Sequence, residues 1–373
     1  MWILHLGKFY PPHHGGIETH LATLCRGLAQ AATVEAIVAN DGRRSVTEDL
    51  DGVRVRRLGT IGTPASTPIC PSMIGAIRST PADLIHLHVP NPYPALALLL
   101  SGCAAPLVIG WHSDVVRQKQ LARLFAPIER AIVRRAAALI ASSPNYLDSS
   151  PILARNRARV HVIPYGIEPT EFQPRDPARI AQLRERYGPR IVLGVGRLVY
   201  YKGFENLIHA MAGVAGHLLI VGEGPLRPRL ERTARAAGVD VRVSFLGDLS
   251  RDELIDTYQA CDVFVLPAVA RSEAFGIVQL EAMACGKPVV NTRLASGVPF
   301  VSIDEETGIT VEPAQPAALA AALNLLLDDR ELCERYGAAG LRRVREHFSA
   351  AAMVERTLSL YREILAGRSP ADQ

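Results

Sequence analysis

Short apolar runs alternate along most of the chain with longer stretches in which apolar side chains recur every three to four positions. The first pattern is that of buried strands and the second that of helices packed on one face. In the first half the runs at 3–6, 34–39, 53–58, 84–88, 107–111, 138–141 and 160–163 read as strands, with helices such as 16–30 and 121–135 between them. The segment Gly166-Ile-Glu-Pro-Thr-Glu-Phe-Gln-Pro-Arg-Asp-Pro177 carries three prolines and interrupts the alternation as a linker. Strands then resume at 191–195, 218–221, 241–246, 263–266, 289–290 and 308–311. Strand and helix in regular alternation imply right-handed crossovers and parallel, doubly wound sheets. The expected fold class is therefore α/β, with two domains of Rossmann type: 1–168, 169–349, and a terminal helix and tail at 350–373 that can cross back to the first domain.

Composition narrows the partners. At 373 residues and 48% hydrophobic, the chain is long and apolar enough for two cores. A net charge of +4 is far too low for a dedicated nucleic-acid binder but suits anionic small ligands. The six cysteines are widely spaced with no CxxC pair, so they read as reduced thiols of a reducing compartment. The N-terminus lacks a basic n-region and the longest lipid-like run, 95–100, is too short to span a bilayer. A cytoplasmic protein is the expectation.

Two parallel sheets that face each other place the carboxyl ends of their strands along a shared cleft, where ligands of such folds bind. The polar residues at strand ends are then the informative ones. After the strand at 263–266 comes Arg271-Ser-Glu-Ala-Phe-Gly-Ile-Val-Gln-Leu-Glu281, a loop followed by a helix from Phe275 that Gly286 and Pro288 stop. The amides around Phe275, Gly276 and Ile277 form the positive end of that helix, a seat for an anion. Glu273 precedes the helix tip and Glu281 lies about six residues into it, roughly 9 Å at 1.5 Å per residue. A diphosphate on the tip would have one carboxylate toward each flank, and carboxylates accept hydrogen bonds from sugar hydroxyls. That combination describes a nucleotide sugar. The plain alternative is a helix-start acid and a solvated one.

The strand at 191–195 delivers Arg197 and Lys202 in the same way, one suited to a bidentate phosphate contact and the other a compact charge. Gly15 and Gly16 follow the first strand, at a helix mouth that suits close approach to a phosphate. His13, His14 and His20 near Glu18 invite a zinc reading, but with two histidines adjacent and no cysteine close the expectation is no metal. Trp111-His112-Ser-Asp114 ends another strand; His112 can bond a sugar hydroxyl or serve structurally, and Asp114, with Tyr10, is a candidate on the acceptor side. His86 and His88 point to one face of their strand and read as structural. Val221-Gly-Glu-Gly-Pro225 lacks the third glycine of a dinucleotide fingerprint and reads as a tight turn.

Taken together, Gly15-Gly16, His112, Gly196-Arg197-x4-Lys202-Gly203 and Glu273-x7-Glu281 resemble the retaining glycosyltransferases of family 4, which have the GT-B fold. The resemblance covers nearly the whole chain and implies that Arg197 and Lys202 clamp the donor diphosphate. It implies that Glu273 meets the donor sugar and Glu281 the ribose. It assigns the amides of Phe275, Gly276, Ile277 and Gly16 to phosphate or sugar, and His112 to the sugar. The chain departs from many relatives at Ala295-Ser-Gly-Val-Pro299, where they carry paired glycines. The resemblance further implies front-face transfer without a metal or other cofactor, in which the departing diphosphate takes the acceptor's proton. The Trp-His-Ser-Asp stretch, with Gln118-Lys119 after it, looks like bacterial mannosyltransferases of polysaccharide and O-antigen assembly, so GDP-mannose is the favoured donor and a glycan or lipid-linked glycan the acceptor. A UDP-sugar donor, a hydrolysing epimerase and a non-enzymatic nucleotide-sugar sensor are the alternatives. The base pocket is expected near 247–252. Arg117, Lys119, Arg123, Arg130, Arg134 and Arg135 make a basic amphipathic segment, which fits either peripheral contact with an anionic membrane or an ordinary solvated helix face.

Overall fold

The structure, a computed structural model, describes residues 1–13, 15–114 and 119–367. The chain forms two compact units: Met1–Gly166 together with the segment from Ala350 onward, and Ile167–Ser349.

The first unit is built on eight strands: β1 (Trp2–Leu6), β2 (Thr33–Ala39), β3 (Val46–Leu50), β4 (Val53–Leu58), β5 (Leu84–Val89), β6 (Leu107–Trp111), β7 (Ala138–Ala141) and β8 (Val160–Val162). Their spatial order is β3-β4-β2-β1-β5-β6-β7-β8, parallel throughout except for the β3–β4 pair. The central strands are buried along their whole length, β5 and β6 without exception, which is why they read as continuous apolar runs. Strand β3, Val-Thr-Glu-Asp-Leu, escapes the sequence pattern because it is a solvated edge with no apolar face to announce it. The C-terminal helix Ala350–Ala366 belongs to this unit and packs on helix Gly16–Leu28, with Met353, Leu360 and Tyr361 entering the same core as Leu21 and Leu24.

The second unit carries six parallel strands: β9 (Ile191–Val195), β10 (His217–Val221), β11 (Val243–Gly247), β12 (Val263–Leu266), β13 (Val289–Thr292) and β14 (Gly308–Val311). Their order is β11-β10-β9-β12-β13-β14. Strand β11 starts two residues later than the apolar run suggests, because residues 240–242 form a helical turn that leaves Val241 81% exposed. Strand β13 continues through polar Asn291 and Thr292, which the ladder to β14 holds. The helix read from Phe275 begins at Ile277, since Gly276 takes the left-handed conformation at φ 75°.

Candidate donor-binding site

In the second unit the strand order reverses between β9 and β12, the topological switch point at which open α/β sheets bind ligands. The loops that follow these two strands are therefore neighbours. Their backbones bond directly, Val269 N–H donating to the Tyr201 carbonyl over 2.8 Å. Gly203 makes that contact possible: its φ is 71°, and a Cβ there would lie 1.9 Å from the Pro267 carbonyl oxygen.

This packing brings Lys202 from one loop to Glu273 from the other, with Nζ 2.7 Å from Oε2. Both side chains are nearly buried, so the two charges form a largely desolvated ion pair. Burial pushes the Lys202 ammonium down, but Glu273 and the neighbouring acidic groups outweigh it and hold the pKa above the ordinary lysine value. Lys202 is only 9% exposed, whereas the guanidinium of exposed Arg197 has no hydrogen-bond or ion-pair partner among the described residues. One cation is thus already neutralised and the other is available.

Glu281 lies on the helix Ile277–Ala284 that starts behind Gly276, and both of its oxygens are occupied. Arg251 Nη1 donates to Oε1 and the Tyr258 hydroxyl to Oε2, each over 2.9 Å. The Arg251 guanidinium also lies 4.6 Å from the centre of the Phe172 ring. Sequence reasoning did not single out Arg251 or Tyr258, although Arg251 falls within the segment given to the base pocket. The departing stretch 295–299 is tied to the Glu273 loop, Gly297 N–H donating to the Ala274 carbonyl over 2.7 Å.

In the first unit Gly15 is the N-cap of helix Gly16–Leu28 and supplies no side-chain cap, so the amides of its first turn have no side-chain acceptor at the cap. Tyr10 is 3% exposed and belongs to the core, where burial pushes its hydroxyl pKa up. Asp114 Oδ1 accepts from the Trp111 indole and the Ser150 hydroxyl, both at 2.9 Å. His112 is buried with both ring nitrogens engaged: Nε2 lies 2.8 Å from His88 Nδ1, and Nδ1 lies 2.5 Å from the Tyr165 hydroxyl. The sugar contact expected of a free His112 nitrogen therefore competes with protein partners. The local histidines do not converge: His13 pairs with Asp41 at 2.9 Å, His20 points into the core near His88 and His112, and His14 lies outside the described residues.

The sequence matches two family models, glycosyl transferase 4-like domain over residues 15–166 and glycosyl transferases group 1 over 176–343. It is 33% identical to O-antigen chain mannosyltransferase C of Escherichia coli, over 99% of this chain and 100% of that one. Similarity to the D-rhamnosyltransferase WbpZ of Pseudomonas aeruginosa is also 33%, over 94% and 93%. Among solved structures, sucrose-phosphate synthase from Thermosynechococcus elongatus superposes with a TM-score of 0.83 at 26% identity, covering 98% of this chain and all of that one. The chain belongs to the group 1, family-4-like glycosyltransferases. Its fold is the GT-B fold, as the sequence resemblance implied.

For this glycosyltransferase the membrane reading changes in detail. Arg117 and Gln118 lie outside the described residues. Arg135, at the end of helix Lys119–Arg135, donates to the carbonyls of Leu98, Cys103 and Ala105 and so ties the helix to the fold. No helix among the described residues is long and apolar enough to cross a membrane. Of the six cysteines, all free, four are buried and Cys103 and Cys333 are half-buried.

Proposed function

We propose that this glycosyltransferase transfers mannose, with retention, from GDP-mannose to a glycan or lipid-linked glycan acceptor in bacterial polysaccharide or O-antigen assembly. The observation that carries the reading is the meeting of Arg197, the Lys202–Glu273 pair and the Gly276 helix tip at one switch point. The donor's diphosphate takes Lys202 and the exposed Arg197. Glu273, released from its ammonium, turns to the sugar hydroxyls, and Glu281 to the ribose. Amides at Phe275, Gly276 and Ile277 complete the anion seat, while in the first unit Gly15 and Gly16 are assigned to phosphate or sugar and His112 to the sugar. The protein stabilises charge growing on the leaving diphosphate, and the cationic pair does the work a divalent metal does elsewhere. Whole-length similarity to a mannosyltransferase supports the sugar. Similarity of equal strength to a D-rhamnosyltransferase supports a 6-deoxyhexose as the second reading.

Thermal shift against GDP, UDP, ADP and their hexose conjugates decides the donor. A ligand at a hundred times its dissociation constant adds about 2.7 kcal/mol of stability. GDP and GDP-mannose are expected to raise the melting temperature most; a larger shift with UDP compounds would replace the base assignment. Donor incubated without acceptor should at most hydrolyse slowly, since an epimerase would convert it. Chelator should leave transfer unchanged.

A further inference from the structure

One face of the first sheet carries, where a core would be apolar, a layer of five buried histidines: His5 of β1, His86 and His88 of β5, His112 after β6, and His20 from helix Gly16–Leu28. Room for it exists because Gly110 stands opposite His88 in the ladder. A Cβ on Gly110 would come 2.8 Å from His86 Nε2 and 3.4 Å from both His112 Nε2 and His88 Nδ1.

Three of the rings lie end to end. His88 and His112 have planes 3° apart and centroids 5.1 Å apart, with their facing nitrogens 2.8 Å apart. A centroid separation equal to that N···N distance plus both ring radii places the rings in line, not face to face. His5 and His88 repeat the arrangement, at 5.4 Å between centroids and 3.0 Å between His5 Nδ1 and His88 Nε2. The line ends at Tyr165, whose hydroxyl is 2.5 Å from His112 Nδ1 and which shares a small cavity with Ser142. Burial holds all of these imidazoles neutral, so each ring offers one donor and one acceptor. A chain of such rings has only two proton orders. In one, His5 Nε2, which is buried and has no partner among the described residues, carries an orphaned N–H; in the other it carries only a lone pair, and the Tyr165 hydroxyl, accepting from His112, turns its own hydrogen toward the neighbouring Ser142 side chain. Burying an unmade N–H is the costlier defect.

We propose that His5, His88 and Tyr165 are positioning residues for His112, joined with it in one directed hydrogen-bond chain that fixes its ring as the Nδ1–H tautomer. Each histidine donates from Nδ1, His5 to His88, His88 to His112, and His112 to Tyr165. The functional half of this inference rests on the sugar contact proposed above for His112; because the chain uses both of its nitrogens, a sugar hydroxyl makes that contact by taking the place of the Tyr165 hydroxyl as acceptor of the Nδ1–H. A metal in the layer is the competing use of the same atoms, because two triads, His5/His86/His88 and His20/His88/His112, each place one nitrogen per residue within 4.8 Å of one another. Both triads need His88, and the chain uses both nitrogens of that ring.

The test uses the full-length protein labelled with 15N-histidine. Imidazole 15N shifts of the wild type should report the Nδ1–H tautomer, which free histidine disfavours, at His5, His88 and His112. Nε2–H at any of the three would overturn the chain, as would stoichiometric binding of Co2+ or Zn2+ that shifts these resonances. Tyr165→Phe removes the acceptor at one end and leaves the two proton orders balanced. Shifts at His5, two hydrogen bonds further on, should then move along with those of His112; a change confined to His112 would overturn the coupling. The same variant should lower kcat about 10- to 100-fold with donor KM little altered, the scale of losing an orienting partner. Normal kcat in Tyr165→Phe, with His112→Ala impaired, would overturn the positioning role alone. Normal transfer in His112→Ala would overturn the sugar contact and the positioning role together.

Discussion

In the proposed reading, Arg197 serves the binding of the leaving group and Glu273 the chemistry of the sugar. The Arg197 guanidinium is exposed and has no hydrogen-bond or ion-pair partner among the described residues, so its charge is open to a phosphate. Arg197→Ala should cut turnover on the order of 10²–10³-fold, the cost of losing one strong donor to a developing anion; initial-rate kinetics near the wild-type level would contradict the clamp. Glu273→Gln acts differently, because the carboxylate contacts Lys202 at 2.7 Å. Removing it leaves a nearly buried ammonium without its counter-charge, which destabilises the free enzyme. A nucleoside diphosphate restores a negative partner, so the variant should gain at least as much thermal stability from GDP as the wild type while losing transfer. Equal loss of GDP binding and transfer, measured by calorimetry and by product formation, would make Glu273 structural.

At the scale of elements, the site depends on two loops being back to back at the switch point, and Gly203 is where that is most exposed to test. Gly203→Ala forces a side chain into left-handed backbone and against the Pro267 carbonyl. The backbone cost alone is on the order of 1–2 kcal/mol, and relief of the clash must move Lys202, which precedes it. Denaturant unfolding should show the loss, and turnover should fall more than that loss explains; an unchanged midpoint would mean the loops are not packed as described. The strands that frame these loops were legible because both sheets are covered on both faces, which writes β1, β6, β9 and β12 as plain apolar runs. The residues at their carboxyl ends were legible for the same reason, as polar groups at the end of a buried run. Edge strand β3 was not, having no buried face to betray it. Nor were Arg251 and Tyr258, which in sequence look like any helix start and helix interior. The histidine layer was hidden most completely. His5, His20, His88 and His112 come from separate elements, and only the alternation of His86 and His88 within β5 hinted that they share a face.

For the whole molecule, that layer sets the acid limit of stability. Burial lowers His5 and His20 to a pKa of about 3 and holds His86, His88 and His112 well below the ordinary histidine value. The remaining causes of these shifts are the other histidines, and no carboxylate of the described residues is among them. Since every folded-state value is depressed, the unfolded chain binds more protons once the pH drops below about 6.5, and stability falls from there downward. Each such histidine costs roughly 1.4 kcal/mol per pH unit inside that window. Five together approach 7 kcal/mol per pH unit, comparable with the 5–15 kcal/mol that usually holds a domain folded. The first unit should therefore lose stability progressively as the pH falls below about 6.5, before its carboxylates titrate. Calorimetry at pH 7.5, 6.5 and 5.5 measures the slope. His20→Phe, which replaces one titrating ring by an apolar one, should reduce that slope by about one fifth. A melting temperature that stays level from pH 7.5 to 5.5 would mean that the folded layer takes up protons as readily as the unfolded chain does, and the five rings would then not be the sealed, neutral cluster that their burial implies.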